Sequence, residues 1–162
     1  MSSFPIRRPA RRSARGQALA EFALLLPLVL GLVGGGVDFS RGYAESMTLE
    51  SAARNAAEAA AYEATTLAEA QAKARAVACT EAQNLGSFVP GPGGNVATCT
   101  APSVSVTFVS DPTAPGANTR YPLVTVTVTT SLPFDTVVPW PFLPDGAWTL
   151  GSTQSFSILQ GR

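Results

Sequence analysis

The chain has 162 residues, with 11 basic and 11 acidic side chains and therefore no net charge. It contains no histidine and only two cysteines. This composition excludes Ser-His and Cys-His nucleophile pairs and histidine-containing zinc sites. Charged residues make up only 14% of the chain, beside 14 glycines and 13 prolines, which is unusual for a cytosolic enzyme. We therefore expect no enzymatic activity, no metal site and no cofactor.

The zero net charge hides a marked asymmetry along the chain. The first fifteen residues hold no acid and five cations: Arg7, Arg8, Arg11, Arg12 and Arg15. After residue 16, 6 basic and 11 acidic side chains leave a net charge of −5. A nucleic-acid-binding protein carries its positive charge on the folded body, so we expect no nucleic-acid partner.

An apolar stretch follows the arginines and ends at Asp38. Between Glu21 and Asp38 lie 16 uncharged residues, and a helix of that length spans about 24 Å, short of the roughly 30 Å hydrocarbon core of a bilayer. The 22 residues from 16 to 37 reach about 33 Å but place Glu21 in the membrane, at a cost of at least about 2.5–3.5 kcal/mol. The upstream arginines predict a cytoplasmic amino terminus and export of everything after residue 38.

Three interpretations of this stretch remain open. It is a cleavable secretory signal peptide, a plain membrane anchor whose Glu21 snorkels to the interface, or a prepilin-type leader cut after Gly16. In the third, Gln17 becomes the new amino terminus, and its α-ammonium group can neutralise the Glu21 carboxylate of a neighbouring subunit. Because a wrong axial register leaves both charges unpaired in lipid, such a pair would specify assembly.

The next part of the chain is predicted to be helical. Pro27 lacks an N–H group, which predicts a local kink or melted turn. Residues 39–85 are predicted as helix, and residues 51–79 contain 14 alanines, the strongest helix former. Apolar residues recur at gaps of three and four, which predicts one buried stripe: Leu49, Ala53, Ala56, Ala60, Ala64 and Leu67.

A break near Thr65 is expected to divide this helical region in two. Thr66 and Glu69 have the spacing of a capping box, which marks the start of a second helix. Gly86 is the expected left-handed cap at the end of that helix.

The remainder reads as β-structure after a glycine- and proline-rich connector. Residues 103–109, 123–130 and 152–159 alternate between apolar and polar side chains, which predicts a half-buried antiparallel sheet. Residues 133–148 hold four prolines and are too proline-rich for a central strand. This segment is expected to be a loop that covers the open sheet edge or presents its aromatic residues to a partner.

Cys79 and Cys99 lie on either side of the connector. If both are exported, an oxidising exterior favours a disulfide, which would close a loop of about 20 residues, contribute roughly 3 kcal/mol and join helix to sheet. Two free cysteines are the alternative for a chain that stays in the cytoplasm.

Three stretches of the sequence resemble the TadE-like family: GQALAEFALLLP from Gly16 to Pro27, GVDFSR from Gly36 to Arg41, and the alanine-rich LESAARNAA from Leu49. Members of this family are minor pilins or pseudopilins of tight-adherence (Flp-type) pilus systems. The resemblance implies a bitopic prepilin processed by an aspartic prepilin peptidase, working with other pilins, an inner-membrane platform and a cytoplasmic ATPase in a bacterial membrane.

The resemblance also implies roles for individual residues. Cleavage falls between Gly16 and Gln17, and register and assembly depend on Glu21 with Phe22 and Pro27. Relatives often carry tyrosine in place of Phe22, a mild departure that should not prevent cleavage.

We thus expect an α+β protein in which a long helix, its first half transmembrane, precedes a second helix and a three-stranded antiparallel sheet. Its expected function is structural, in assembling a tight-adherence pilus for adhesion, biofilm formation or secretion. The alternative is a single-pass anchored module that binds a ligand through residues 133–148. The expected segments are a basic leader, an assembly helix, an alanine-rich helical region and a β-rich region: residues 1–16, 17–37, 38–85 and 86–162.

Overall fold

A computed structural model describes residues 14–138 and 148–159, with side chains from residue 16 onward. The chain divides into two compact units, Met1–Val37 and Asp38–Arg162. The elements are two helices and three strands, with short 3-10 turns at Pro92–Gly94 and Val96–Thr98: α1 (Ala14–Glu63), α2 (Leu67–Ala82), β1 (Ser103–Asp111), β2 (Leu123–Phe134) and β3 (Trp148–Leu159). The predicted α+β class, with a long apolar helix, a second helix and an antiparallel sheet, is confirmed.

In the first unit, α1 is helical at every described residue and includes Pro27. The expected melted turn at Pro27 is therefore wrong. A proline removes one backbone hydrogen bond, and the turns on either side keep theirs. The glycines that follow, at 31 and 34–36, are helical as well.

In the second unit, small side chains of both helices and valines of the central strand form the core. The predicted stripe on α1 is buried from Leu49 to Ala64, whereas Leu67 is 47% exposed because α1 ends at Glu63 and Leu67 begins α2. Alanines at this seam let the helix backbone approach the other elements closely. They pack with Val124, Val126 and Val128 of β2.

Thr66 caps the start of α2, as predicted. The Thr66 hydroxyl accepts a hydrogen bond from the Glu69 amide at 3.3 Å. The Glu69 carboxylate reaches back one residue further than in the usual capping box and accepts from the amide and hydroxyl of Thr65, both at 2.8 Å. Across the break, Lys73 of α2 forms an ion pair with Glu63 of α1.

The predicted cap at the end of α2 is wrong. The helix ends at Ala82, its C-cap Gln83 has right-handed helical dihedrals, and Gly86 does not have a positive φ. Two successive turns take the place of a left-handed cap: the Leu85 amide donates to the Ala82 carbonyl at 3.0 Å, and the Phe88 amide donates to the Leu85 carbonyl at 3.1 Å. These bonds continue the chain out of the helix without a glycine in the left-handed region.

The sheet has the order β1-β2-β3, and both pairings are antiparallel. All three strands alternate as predicted, with valines, Phe108, Phe156 and Ile158 on the face that packs on the core. The opposite face carries serine and threonine hydroxyls that pair across β2 and β3, for example Thr127 with Ser155 at 2.8 Å and Thr129 with Thr153 at 2.9 Å.

The expectation that residues 133–148 form a loop is wrong at both ends of this segment. Pro133 and Phe134 end β2 and pair with Thr149 and Trp148 of β3. Proline is tolerated here because β1 pairs with β2 only as far as Ser131, so β2 has one neighbouring strand at Pro133 and needs fewer donors. The middle of the segment, residues 139–147, lies outside the described residues.

A disulfide between Cys79 of α2 and Cys99 joins the helix to the segment that leads into β1. Both cysteines are fully buried, and the Arg75 guanidinium donates to the Cys99 carbonyl at 2.8 Å. The intervening connector folds tightly on itself: a Cβ at Gly91 would lie 2.1 Å from the Thr98 carbonyl oxygen, so only glycine fits there.

Candidate functional site

The amino-terminal part of α1 is apolar on all sides and exposed among the residues that the structure describes. Every residue from 16 to 30 is exposed and none from 31 to 37 is buried. Among the described residues, α1 is the one helix that is long and apolar enough to cross a membrane. A helix that is apolar all round belongs in lipid or in a protein core, and none of the apolar window is buried among the described residues.

Gly16 and Gln17, the residues of the expected cleavage site, lie in the first turn of α1, which begins at Ala14. A Cβ built on Gly16 meets no atom within 4 Å. The fold therefore does not require glycine at this position.

Glu21 lies one turn further along and makes a local contact that had not been anticipated. The Gln17 side-chain amide donates a hydrogen bond to Glu21 Oε1 at 3.1 Å. The spacing of four residues places these side chains on the same helix face. The structure therefore brings together two of the expected site residues, Gln17 and Glu21, which lie one helical turn apart on the same face.

The remaining expected site residues are placed as follows. Phe22 is 61% exposed on the helix surface, and Pro27 lies within the helix. The leader arginines Arg7, Arg8, Arg11 and Arg12 and the side chain of Arg15 lie outside the described residues. Neither Phe22 nor Pro27 forms a site with Gln17 and Glu21; each adds to the same exposed apolar surface.

A polar cluster at the start of the second unit was not predicted as a site. Asp38 is 6% exposed, and its two carboxylate oxygens accept hydrogen bonds from the amides of Val137 at 2.7 Å and Val138 at 3.2 Å. These contacts join α1 to a segment about a hundred positions later in the chain. They fix residues 137–138, which lie three and four positions after the end of β2, against the helix.

Arg41 extends this cluster along the helix. Its guanidinium lies 3.9 Å from Asp38 Oδ1 and 4.0 Å from Glu45 Oε1, and it sits 5.5 Å from the centroid of the Phe134 ring. The Phe134 ring also lies over Gly42, where a Cβ would be in ordinary van der Waals contact with it at 3.4 Å. The i, i+3 and i+7 spacing of Asp38, Arg41 and Glu45 was a signal available in the sequence, but it gave no indication of Phe134 as the fourth member.

Chemically, the apolar helix suits membrane anchoring, and the polar cluster joins distant parts of the second unit. Among residues 14–138 and 148–159, no three metal-ligating side chains are grouped together. The surface cavities described are shallow grooves along the helices, such as the one lined by Met47, Ser51 and Glu58.

The model of the TadE-like protein family matches residues 16–65. This range begins at the expected cleavage glycine, contains the apolar segment and the helical residues Asp38, Arg41 and Glu45, and ends just after α1 does. The resemblance found in the sequence is thereby confirmed. No curated protein and no solved structure matches the chain.

Proposed function

Because residues 16–65 match the TadE-like family, which indicates a membrane-anchored protein associated with the Tad pilus, we propose that this chain is a minor pilin or pseudopilin. A prepilin peptidase cuts it after Gly16, and the mature protein takes part in assembling a tight-adherence pilus for adhesion, biofilm formation or secretion. It is the substrate of the peptidase and has no catalytic role. The observation that carries this proposal is an uncovered apolar helix with one carboxylate, Glu21, four residues after the new amino terminus.

The position of Gly16 supports cleavage at the cytoplasmic face. Gly16 directly precedes the apolar segment and follows the basic residues, and its exposure leaves it accessible to a peptidase. The arginines before Gly16 keep this end in the cytoplasm. The protein would then sit in the bacterial inner membrane, with residues 38–162 exported.

The environment of Glu21 supports a role in subunit register. In lipid, one hydrogen bond from the neutral Gln17 amide does not offset the cost of a buried carboxylate. Cleavage creates an α-ammonium group on Gln17, and this group on a neighbouring pilin is the compensating charge. Phe22 and Pro27, on the surface of the same segment, would contact other pilins or the inner-membrane platform.

The test of processing compares two glycines of the same helix. At Gly16 and at Gly36, a Cβ meets nothing within 4 Å, so alanine fits the fold at both. Expressed with the peptidase, Gly16→Ala should accumulate as the full-length precursor, while Gly36→Ala should be processed like the wild type. Normal processing of Gly16→Ala would contradict the cleavage site. A block in both variants would show that the peptidase depends on the helix as a whole and not on the glycine before the cut.

The test of Glu21 separates insertion from assembly. Glu21→Ala removes a costly charge, so membrane insertion should be retained, whereas incorporation into pili or pilus formation should fall. The matched control is Glu50→Ala, a change to an exposed acid of the same helix beyond the apolar segment. Unchanged piliation of Glu21→Ala would mean that the carboxylate has no assembly role.

A further inference from the structure

Strand β3 forms one edge of the sheet among the residues that the structure describes. It is 12 residues long and contains no charged residue and no proline. Its register with β2 runs one-to-one from Leu123 opposite Leu159 to Phe134 opposite Trp148, without a bulge. Charges, prolines, bulges and short length are the devices that keep sheet edges from pairing with other chains, and β3 has none of them.

The opposite edge, β1, differs in these respects. It has 9 residues and ends in Asp111. The Thr113 hydroxyl and amide donate to this carboxylate at 2.7 and 2.8 Å, and these bonds lower the pKa of Asp111. The β1 edge therefore carries a negative charge at neutral pH and the β3 edge carries none.

The core is also less complete along β3 than along the central strand. The inward-facing residues Gln154, Phe156 and Ile158 are only partly buried, whereas Val126 and Val128 of β2 are fully buried. An additional strand beside β3 would extend the apolar inner face and the row of hydroxyl groups on the outer face. Among residues 14–138 and 148–159, the edge has no second neighbouring strand and carries side chains of matching character on both faces.

We propose that β3 pairs antiparallel with β3 of a second copy of this chain, about a two-fold axis at Gln154, to form a continuous six-stranded sheet. In this register, residues whose numbers sum to 308 lie opposite each other, so that Leu150 meets Ile158 and Thr153 meets Ser155. The latter pair continues the hydroxyl ladder already formed with β2. A second copy supplies matching side chains in this register, the apolar pair of Leu150 and Ile158 on the inner face and a hydroxyl pair on the outer face, and brings no like charge, which favours it as the partner strand.

Cysteine crosslinking of the full-length protein in detergent tests the register. Position 155 of one copy lies opposite position 153 of the other, so the two copies of residue 155 are diagonal neighbours, about 7–8 Å apart. Ser155→Cys should therefore give a dimer with a short bismaleimide. Ser157→Cys, equally exposed on the outer face, is the control for register. In the proposed dimer, position 157 of one copy lies opposite position 151 of the other, so the two introduced cysteines are about 20 Å apart along the strand and should not crosslink. Ser105→Cys on β1 is the control for the other edge and should also stay monomeric.

A second variant tests the edge without relying on crosslinks. Ser155→Lys places two like charges close together in the proposed dimer and should abolish the β3–β3 contact, whereas Ser105→Lys on β1 should leave it intact. Circular dichroism checks that both variants fold. The proposal is overturned if Ser157→Cys or Ser105→Cys crosslinks as well as Ser155→Cys, if Ser155→Cys stays monomeric, or if it crosslinks to a different protein instead. It goes beyond the proposed function, because none of these outcomes depends on cleavage after Gly16.

Discussion

The contact between Asp38 and residues 137–138 allows a quantitative prediction. Two hydrogen bonds, at 2.7 and 3.2 Å, join its carboxylate to the amides of Val137 and Val138. A hydrogen bond to a charged group contributes about 1.5–3 kcal/mol. Because the Val137 side chain is 63% exposed and water can replace part of the loss, the lower end applies, and Asp38→Ala should lower the free energy of unfolding by about 3 kcal/mol.

A conservative variant separates the two hydrogen bonds. Asp38→Asn keeps one acceptor oxygen and turns an NH2 donor toward the other backbone amide. It should therefore lower the free energy of unfolding by about 1.5 kcal/mol, half the loss of the alanine variant. Both losses are measured by urea unfolding of the full chain in detergent micelles, followed by circular dichroism.

The control is Glu50→Ala, which removes an exposed carboxylate from the same helix and should change the stability by no more than about 0.5 kcal/mol. If Asp38→Ala were no more destabilising than Glu50→Ala, the contact would not hold residues 137–138 against α1, and the assignment of Asp38 as a structural anchor would be refuted.

Three further predictions concern the second unit. Reduction of the disulfide should lower the free energy of unfolding by about 3 kcal/mol through the chain entropy of a loop of roughly 20 residues, and an unchanged urea midpoint would contradict this. Ala74→Leu, at a fully buried position of α2, should cost about 1–3 kcal/mol by overpacking, whereas Ala72→Leu on the exposed face of the same helix should be nearly neutral in the same assay. Thr113→Val should raise the pKa of Asp111 toward its ordinary value of 3.8 in an NMR titration; since the folded-state pKa is lowered, the stabilisation is present above that ordinary value and is lost as the pH falls through the folded pKa.

Local patterns in the sequence were enough to predict most of the fold. The helix break at Thr66, the buried stripe of α1 and the inward faces of all three strands follow from periodicities of 3.6 and 2 residues. These patterns need only near neighbours in the chain. Two errors were local, namely the melted turn at Pro27 and the left-handed cap at Gly86. The third concerned a distant partner: Pro133 was excluded from the sheet because the point at which β1 stops pairing with β2 is a tertiary property.

The candidate site shows the same division. The exposed apolar helix and the positions of Gly16 and Glu21 could be identified from the order of residues alone. The bond from Gln17 to Glu21 was foreseeable from their spacing of four. By contrast, the contact of Asp38 with Val137 and Val138, and that of Arg41 with Phe134, join residues about a hundred positions apart, and no local pattern points to them.

The amino-terminal sequence and intact mass of the protein, extracted from membranes of cells that contain the peptidase, test the central claim most directly. We expect a mature chain that begins at Gln17 and has lost the 16 residues before it. A chain that still begins at Met1, or one trimmed on the outer side beyond residue 33, would contradict it and would support a plain anchor or a secreted protein instead.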